Sequence, residues 1–296
     1  MTLKIGNAPC SWGVEFADDP RNPSWESVLD ECAAAGFEGI DLGPVGFFPE
    51  DPAELKDALQ SRALTLTSGV VFRPFHDPGA EADCRDVTIR TCRILSALGA
   101  KELVLIDSIA SKRSRTLGRP HKAPILDTRG WSDFRERIET AARIGSEDYG
   151  LTVSVHPHAG GYCDFEEELD RLLSEIDADT LKVCIDSGHA TLAGMDPLAL
   201  LRKYSDRIAL VHLKDIDPIK KAAVVRDGTE FYTACADSLF CQMGKGDVDF
   251  RAFRNLLGGI GYVGWCTVEQ DCAPNAHENK VEIACVNRNF LRSAGF

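Results

Sequence analysis

Four apolar, β-rich runs of the sequence each end in a side chain that can bind a metal ion. The candidates that follow the runs LTVSV, LKVCI, IALV and GWCTV are His156, Asp186, His212 and Glu269. Imidazole nitrogens mixed with carboxylate oxygens suit Mn²⁺ or Co²⁺, with Zn²⁺ and Fe²⁺ as alternatives, better than Ca²⁺ or Mg²⁺. The two carboxylates balance the charge of a divalent ion, which favours polarisation of a substrate carbonyl or hydroxyl. These residue types therefore predict one metal centre for chemistry next to a carbonyl.

The alternation of side chains along a strand turns all four candidates the same way. Successive residues of a strand point to opposite faces, so polar Ser154 shares a face with His156, whereas Val153 and Val155 share the other face. The same alternation places the other three candidates on the face opposite to their apolar neighbours, which is the inner face of the sheet: Asp186, His212 and Glu269. A single inward polar residue at a strand end is more often a satisfied core group, but four together indicate a shared site.

The strands that carry these residues belong to a series of eight repeated βα units. β-rich runs alternate with amphipathic stretches throughout the chain. The runs end near Pro9, Leu42, Val71, Asp107, His156, Asp186, Leu213 and Glu269. Helices are predicted over residues 24–35, 52–61, 82–98, 131–147, 165–175, 197–204, 250–258 and 278–291. Eight such units predict an α/β fold, a single (β/α)8 TIM barrel over residues 1–296, in which the carboxyl ends of the strands meet at one mouth.

A doubly wound open sheet is the alternative architecture. A dinucleotide-binding sheet should carry a glycine-rich turn after its first strand, whereas this chain has NAPCSWG there, so the closed barrel is favoured.

Two long insertions follow the fourth and seventh strands, at about residues 108–130 and 215–249. Long loops at the mouth of a barrel are typical of lids and binding loops, although the first insertion suits a surface elaboration or a homo-oligomer contact equally well.

Composition and charge exclude several classes of protein. The chain has 33 Lys and Arg against 46 Asp and Glu, a formal charge of −13 that repels nucleic acids and anionic membrane surfaces. No run approaches the ~20 apolar residues of a membrane span, and the start MTLKIGNAPCSWG lacks a secretory signal. The 11 cysteines are scattered without a C-x-x-C pair, as expected of core residues in a reduced protein. We therefore expect a soluble, cytoplasmic protein that binds neither nucleic acid nor membranes.

The sequence resembles the xylose-isomerase-like TIM-barrel superfamily of sugar isomerases, epimerases and dehydratases, and within it most closely the inosose dehydratases. The resemblance covers nearly the whole chain and rests on ordered motifs: APCSWGV, IDLGPVGFFP, VHPHAGG, IDSGHA, VHLKD, GKGDVDF and VEQD. It implies metal-ligand positions for Asp186, His212 and Glu269, and a position beside the metal or substrate for His189. The first metal ligand in the superfamily is usually Glu. The corresponding position in this sequence is occupied by a histidine pair, so the first ligand is either His156 or His158.

Other polar and aromatic residues near strand ends are candidates for catalysis and substrate binding. His158 can transfer a proton at near-neutral pH, and Lys214 can stabilise the charge of a developing enolate. Together with His189, they are the predicted catalytic residues. The predicted substrate-binding residues are chosen by their position near other strand ends: Trp12, Asp41, Arg73 and Asp107.

The resemblance implies a metal-dependent dehydratase that acts on a small keto-polyol such as 2-keto-myo-inositol. Removal of the proton next to the ketone and departure of a β-hydroxyl would be assisted by the metal and by the acid–base groups. A ketose or sugar-phosphate isomerase or epimerase is the alternative, because it uses the same enolate and returns the proton. A non-catalytic polyol-binding barrel is an alternative of another class, and a DNA-repair nuclease of related fold is disfavoured by the negative charge.

Overall fold

The computed structural model describes residues 3–274 and 279–296. Its strands are β1 (Lys4–Asn7), β2 (Gly39–Ile40), β3 (Thr65–Leu66), β4 (Ser68–Arg73), β5 (Glu102–Asp107), β6 (Thr152–Val155), β7 (Lys182–Asp186), β8 (Ile208–Leu213), β9 (Asp215–Ile216), β10 (Phe240–Cys241) and β11 (Trp265–Val268). Its α-helices are α1 (Trp25–Ala34), α2 (Pro52–Gln60), α3 (Glu81–Leu98), α4 (Thr128–Arg143), α5 (Glu166–Glu175), α6 (Ser187–Ala193), α7 (Pro197–Lys203), α8 (Pro218–Asp227), α9 (Phe231–Ala236), α10 (Phe250–Gly259) and α11 (Lys280–Ala294).

The strands of the large sheet form a closed ring. Nine parallel strands pair in the order β3-β2-β1-β11-β8-β7-β6-β5-β4. The two ends of this order, β3 and β4, are one stretch of chain interrupted only at Thr67. Because β3 pairs with β2 and β4 pairs with β5, this stretch closes the ring, and the sheet has eight barrel strands. The predicted (β/α)8 barrel is confirmed.

The barrel strands end within 2 residues of their predicted positions. Three helices are absent from the sequence prediction. Two of them, α8 and α9, lie in the second insertion, and the third, α6, begins directly after β7, where IDSGHA shows no apolar periodicity. It forms there because the Asp186 carboxylate accepts the backbone N–H of His189 at 2.8 Å and caps the helix. The predicted start of the last helix, Glu278, lies outside the described residues.

Helix starts follow local signals in the sequence. Three helices begin with an Asp–Pro pair, and in each case the Asp carboxylate accepts an amide of the first turn at 2.8 Å: Asp51, Asp196 and Asp217. Proline has no backbone N–H. At the first helical position this loses no hydrogen bond, because an N–H there would have no partner within the helix. Within the described residues, no helix combines the length and the apolar composition needed to cross a membrane.

Two apolar layers hold the barrel together, one on each face of its wall. The outward residues of the strands, such as Val153, Val155 and Val211, pack against the helices in one large cluster. The inward residues form a small cluster within the barrel: Val104, Ile106, Cys184 and Leu210, with Val70, Phe72 and Trp265 packed against them. The strand alternation used to orient the candidate ligands therefore agrees with the observed packing.

The two long insertions pack against each other at the carboxyl end of the barrel. The second insertion carries α8, α9 and the short antiparallel pair of β9 and β10. Leu117 from the first insertion shares a buried cluster with Val224, Phe231 and Phe240 from the second, and Ala159 from the loop after β6 joins it. Apolar contact between the insertions thus holds α9 next to the strand ends that carry the candidate ligands.

Candidate metal centre

The four candidate ligands come from adjacent strands of the ring. His156 follows β6, Asp186 ends β7, His212 lies in β8, and Glu269 follows β11. These strands are neighbours in the order β11-β8-β7-β6, so the side chains occupy one side of the barrel mouth. The structure brings all four together, with one ligand atom of each within 4.8 Å of the others.

Distances between the ligand atoms match those around a single ion. His156 Nε2 lies 3.4 Å from Asp186 Oδ2, and His212 Nδ1 lies 3.2 Å from Glu269 Oε1 and 3.9 Å from Asp186 Oδ2. Metal–ligand bonds of about 2.1 Å in a tetrahedral arrangement put neighbouring ligands about 3.4 Å apart. The four atoms are therefore spaced to share one divalent ion.

Unsatisfied polar atoms in the cluster also fit a metal ion. Asp186 Oδ1 caps α6, whereas Asp186 Oδ2 has no hydrogen-bond partner among the described residues, and the same holds for both ring nitrogens of His212. Leaving one such buried atom unpaired costs about 1–3 kcal/mol. A metal ion would satisfy Oδ2 and Nδ1 together, so the residues present fit the ion that their types predict.

Lys214 adds a buried positive charge beside the ligands. Its Nζ lies 3.0 Å from Glu269 Oε2, 3.5 Å from Asp186 Oδ2 and 2.7 Å from Asp271 Oδ2. Burial disfavours the ammonium, but the three carboxylates outweigh it and hold the pKa of Lys214 well above 10.5. A Cβ at Gly188 would lie 2.7 Å from Lys214 Cγ, so glycine at this position leaves room for the lysine chain.

Two more histidines pack against each other beside the four candidate ligands. The ring centroids of His158 and His189 are 4.1 Å apart. His158 Nδ1 lies 3.0 Å from the Ala159 carbonyl and must donate to it, which leaves the Nε2 lone pair available. His189 Nδ1 instead accepts the Ala159 N–H at 3.2 Å, and its Nε2 lies 3.4 Å from Asp271 Oδ2. Burial lowers the pKa of His158 well below 6.5, and the neighbouring histidines lower it further.

A pocket at the barrel mouth is lined by His156, His158, Lys214 and Glu269, together with two of the predicted substrate-binding residues, Asp41 and Arg73. The Asp41 carboxylate is held by the Gly43 N–H and the Ser68 hydroxyl, both at 2.6 Å, and burial raises its pKa. Arg73 Nε lies 2.9 Å from Asp83 Oδ2. Both side chains are therefore positioned by protein contacts and still border the pocket.

The structure does not bring Trp12 and Asp107 to this pocket. Trp12 ends a 3-10 turn, Pro9–Trp12, and its indole N–H donates to Glu31 at 2.7 Å on the helix side of the barrel wall. Asp107 accepts the backbone N–H of Tyr162 at 2.7 Å on one oxygen, and the backbone and ring of His76 on the other. Both side chains are satisfied by the protein and lie outside the residues that line this pocket.

Two acidic residues that the sequence prediction leaves out line the same pocket. Asp271 is two residues beyond Glu269, so strand alternation alone could have placed it on the inward side. Glu15 lies in the loop after the first 3-10 turn, where no periodicity predicts direction. Its Oε1 accepts the Tyr232 hydroxyl of α9 at 3.3 Å. Burial raises the pKa of Glu15 to about 7, and the charge of Asp271 contributes.

Comparison with known proteins agrees with this fold. Residues 29–292 match the family described as the xylose isomerase-like TIM barrel, and the chain belongs to that family. It is similar to the inosose dehydratase of Klebsiella pneumoniae, at 31% identity over 98% of this chain and 97% of that one. The inosose dehydratase of Lacticaseibacillus casei is 29% identical over the same shares. The IOLI protein, whose crystal structure contains a zinc atom, shares the fold with a TM-score of 0.73 at 15% identity, over 99% of this chain and 98% of that chain.

Proposed function

We propose that this chain is a divalent-metal-dependent carbon–oxygen lyase that removes water from a keto-polyol such as 2-keto-myo-inositol. The observation that carries the proposal is the convergence of four ligand atoms beside a pocket that also holds His158 and Lys214. Full-length similarity to inosose dehydratases supports the reaction and the substrate class.

The metal ligands in this proposal are His156 Nε2, Asp186 Oδ2, His212 Nδ1 and Glu269 Oε1. Mn²⁺ or Co²⁺ is the expected ion, with Zn²⁺ or Fe²⁺ as alternatives, because the donors mix nitrogen and oxygen. When bound, the ion supplies Lewis-acid polarisation of the keto and hydroxyl oxygens. The zinc atom in the structure of the IOLI protein, which shares this fold, supports the binding of a divalent ion.

His158 acts as the base that accepts the proton next to the ketone. Its Nδ1 proton is committed to the Ala159 carbonyl, so the ring is oriented with Nε2 available for proton transfer. His189 packs on His158 and fixes the orientation of its ring through contact with the Ala159 N–H and Asp271. His189 is thus a positioning residue in this proposal.

Lys214 stabilises the negative charge that develops on the substrate oxygen. A buried ammonium that faces the pocket is already oriented before the reaction begins, and such preorganised charge is effective in a site that excludes water. Asp41 and Arg73 would contact the hydroxyl groups of the substrate from the other strands. The substrate is therefore a small polyhydroxylated ketone rather than a macromolecule.

Mass spectrometry of 2-keto-myo-inositol turned over in deuterated buffer tests the proposed function. A dehydratase gives a product lighter by one water, with an enol or dione chromophore that the substrate lacks. Deuterium uptake next to the carbonyl without water loss would replace the lyase with the epimerase. A protein that binds metal and the ketone but causes neither change would be a polyol-binding barrel.

A further inference from the structure

Glu15 is an acidic group at the mouth of the barrel that the proposed mechanism has not used. It lines the same pocket as His156, His158 and Glu269. Its Oε1 accepts the Tyr232 hydroxyl, and its other oxygen has no hydrogen-bond partner among the described residues. A carboxyl group with one oxygen positioned by the protein and one available is arranged to exchange a proton with a bound molecule.

Glu15 and His158 follow strands on opposite sides of the barrel ring. Glu15 belongs to the loop that follows β1, and His158 to the loop that follows β6. The ring order from β1 through β11, β8 and β7 to β6 makes four steps, which is half of an eight-stranded ring. A cyclic polyol held in the pocket would therefore have His158 on one side and Glu15 on the other.

The other acidic groups of the pocket are less suited to give a proton to a bound molecule. Burial also raises the pKa of Asp41, but both of its carboxylate oxygens are held by hydrogen bonds from the protein. Lys214 is held in its charged form by the three carboxylates around it, so its ammonium is a poor donor. Asp271 is also held in its charged form, because Lys214 and His189 outweigh the effect of burial and keep its pKa far below 3.8. Glu15 differs, since burial next to these negative groups favours its protonated form.

We propose that Glu15 is the catalytic acid that protonates the departing hydroxyl group, an inference that rests on the dehydratase function proposed above. His158 Nε2 takes the proton from the carbon next to the ketone. The C–O bond at the β-carbon breaks with its electron pair on oxygen, and the Glu15 proton converts that oxygen to water. Glu15 is left as a carboxylate, and solvent returns its proton while His158 loses the one it gained.

Tyr232 connects this acid to the second insertion. The tyrosine hydroxyl on α9 donates to Glu15, and the ring of Tyr232 packs near Phe16 with ring centroids 6.4 Å apart. Because α9 is fixed by the apolar cluster between the two insertions, its position determines where the Glu15 carboxyl points. The groups that face Glu15 and influence its charge are Tyr232, Lys214, Glu269 and Asp271.

The test is the variant Glu15→Gln, with turnover in deuterated buffer as the measurement. Glutamine keeps the shape and the contact with Tyr232 but cannot act as an acid. We expect dehydration of 2-keto-myo-inositol to fall about 10²–10³-fold. Deuterium exchange next to the carbonyl should stay close to the wild-type rate, because His158 remains. An analogue with fluorine in place of the β-hydroxyl should lose fluoride almost as fast as with the wild type, since that leaving group needs no proton.

The pH profile and two further variants complete the test. In the wild type, kcat/KM should fall as pH rises above about 7, because the acid must be protonated, and Glu15→Gln should lack this limb. Glu15→Asp should retain the limb and part of the activity. Asp18→Asn changes an exposed residue of the same loop and is the matched control. It should alter neither the pH dependence nor the activity. Metal content and thermal unfolding of each variant show whether it is folded.

Each result separates the role of Glu15 from the proposed function. A wild type that does not dehydrate the ketone ends the proposed function, and the role of Glu15 with it. A wild type that dehydrates while Glu15→Gln is unimpaired ends only the role of Glu15. Equal losses in proton exchange, fluoride release and dehydration in a folded, metal-loaded Glu15→Gln would make Glu15 a positioning residue rather than the acid.

Discussion

The Lys214 ammonium lies 2.7 Å from the Asp271 carboxylate in the interior of the barrel mouth. The same ammonium also faces Asp186 and Glu269, so three negative charges surround one positive charge. The two charges left over equal those of one divalent ion. With Lys214, the cluster therefore carries the net charge that one proposed divalent ion would balance, and a third carboxylate can lie beside the two candidate ligands.

Lys214→Met should destabilise the metal-free protein. Removing one partner of a buried ion pair leaves its carboxylates uncompensated, at a cost of about 3–5 kcal/mol. We expect a lower urea midpoint in the presence of a chelator, with part of the loss recovered on addition of Mn²⁺. Lys245→Met changes an exposed lysine and is the control. If the chelated variant were as stable as the wild type, the carboxylates would not depend on Lys214.

The two histidines after β6 should respond differently to removal. His156→Ala deletes a proposed ligand nitrogen 3.4 Å from Asp186 and should lower the metal content measured by elemental analysis. His158→Ala should keep the metal and lower turnover about 10²–10⁴-fold, because it deletes the proposed base. Retention of metal by His156→Ala and its loss from His158→Ala would exchange their roles.

The convergence of the candidate ligands could be predicted from the sequence, because it depends only on regular features of strands and of the barrel. Two-residue alternation gives the inward direction of His156 and Asp186, and a parallel barrel brings the strand ends to one mouth whatever their separation in sequence. The same reasoning applied to Asp271 would have included it, since it follows Glu269 by two residues. These parts of the site depend on strand geometry alone.

Loop residues could not be placed in this way, because tertiary contacts decide their direction. Trp12 is near a strand end like the ligands, but its 3-10 turn directs the indole toward Glu31. Asp107 ends β5 on the same strand face as Leu103 and Leu105, which pack toward the helices, and its carboxylate accepts amide N–H groups from two neighbouring loops. Glu15 reaches the pocket through a loop whose position depends on α9, which no local pattern in the sequence reveals.

Metal reconstitution should distinguish the ions. After chelation, Mn²⁺ or Co²⁺ should restore more activity than Mg²⁺ at equal concentration, because two of the four ligand atoms are imidazole nitrogens. Zn²⁺ and Fe²⁺ belong in the same series of activity measurements. Full recovery with Mg²⁺ alone would show that the histidines do not bind the ion.

Glu102→Gln should stabilise the protein above pH 7 and have little effect near pH 5. Glu102 begins β5 at the end of the barrel away from the mouth, and burial raises its pKa to about 7. A raised pKa means that the folded protein prefers the protonated acid, so stability falls as pH rises from about 4.5 to 7. Glutamine removes this loss, with an expected gain of about 1–3 kcal/mol at pH 8.5. Urea unfolding near pH 5 and at pH 8.5 measures the change in the free energy of unfolding. Glu81→Gln, at an exposed position, is the control.

Phe231→Ala should uncouple proton exchange from dehydration. The buried ring of Phe231 on α9 lies 5.2 Å from the ring of His158 and 5.8 Å from that of His189, measured between centroids. Alanine leaves a cavity that admits water beside the base, and solvent can then return a proton before the hydroxyl leaves. We expect the rate of dehydration to fall. The ratio of deuterated recovered substrate to dehydrated product should rise. Trimming residues 229–239 should have the same effect more strongly.

The control for this change is Ile219→Ala, which removes an apolar side chain on α8 of the same insertion that is 80% exposed. It should leave both the ratio and the thermal unfolding unchanged. Phe231→Ala should also lower the unfolding temperature, because a large buried ring is lost. If the unfolding temperature fell and the ratio stayed at the wild-type value, Phe231 would only pack the insertion. A raised ratio in a folded, metal-loaded variant would instead make α9 the element that keeps water from the base.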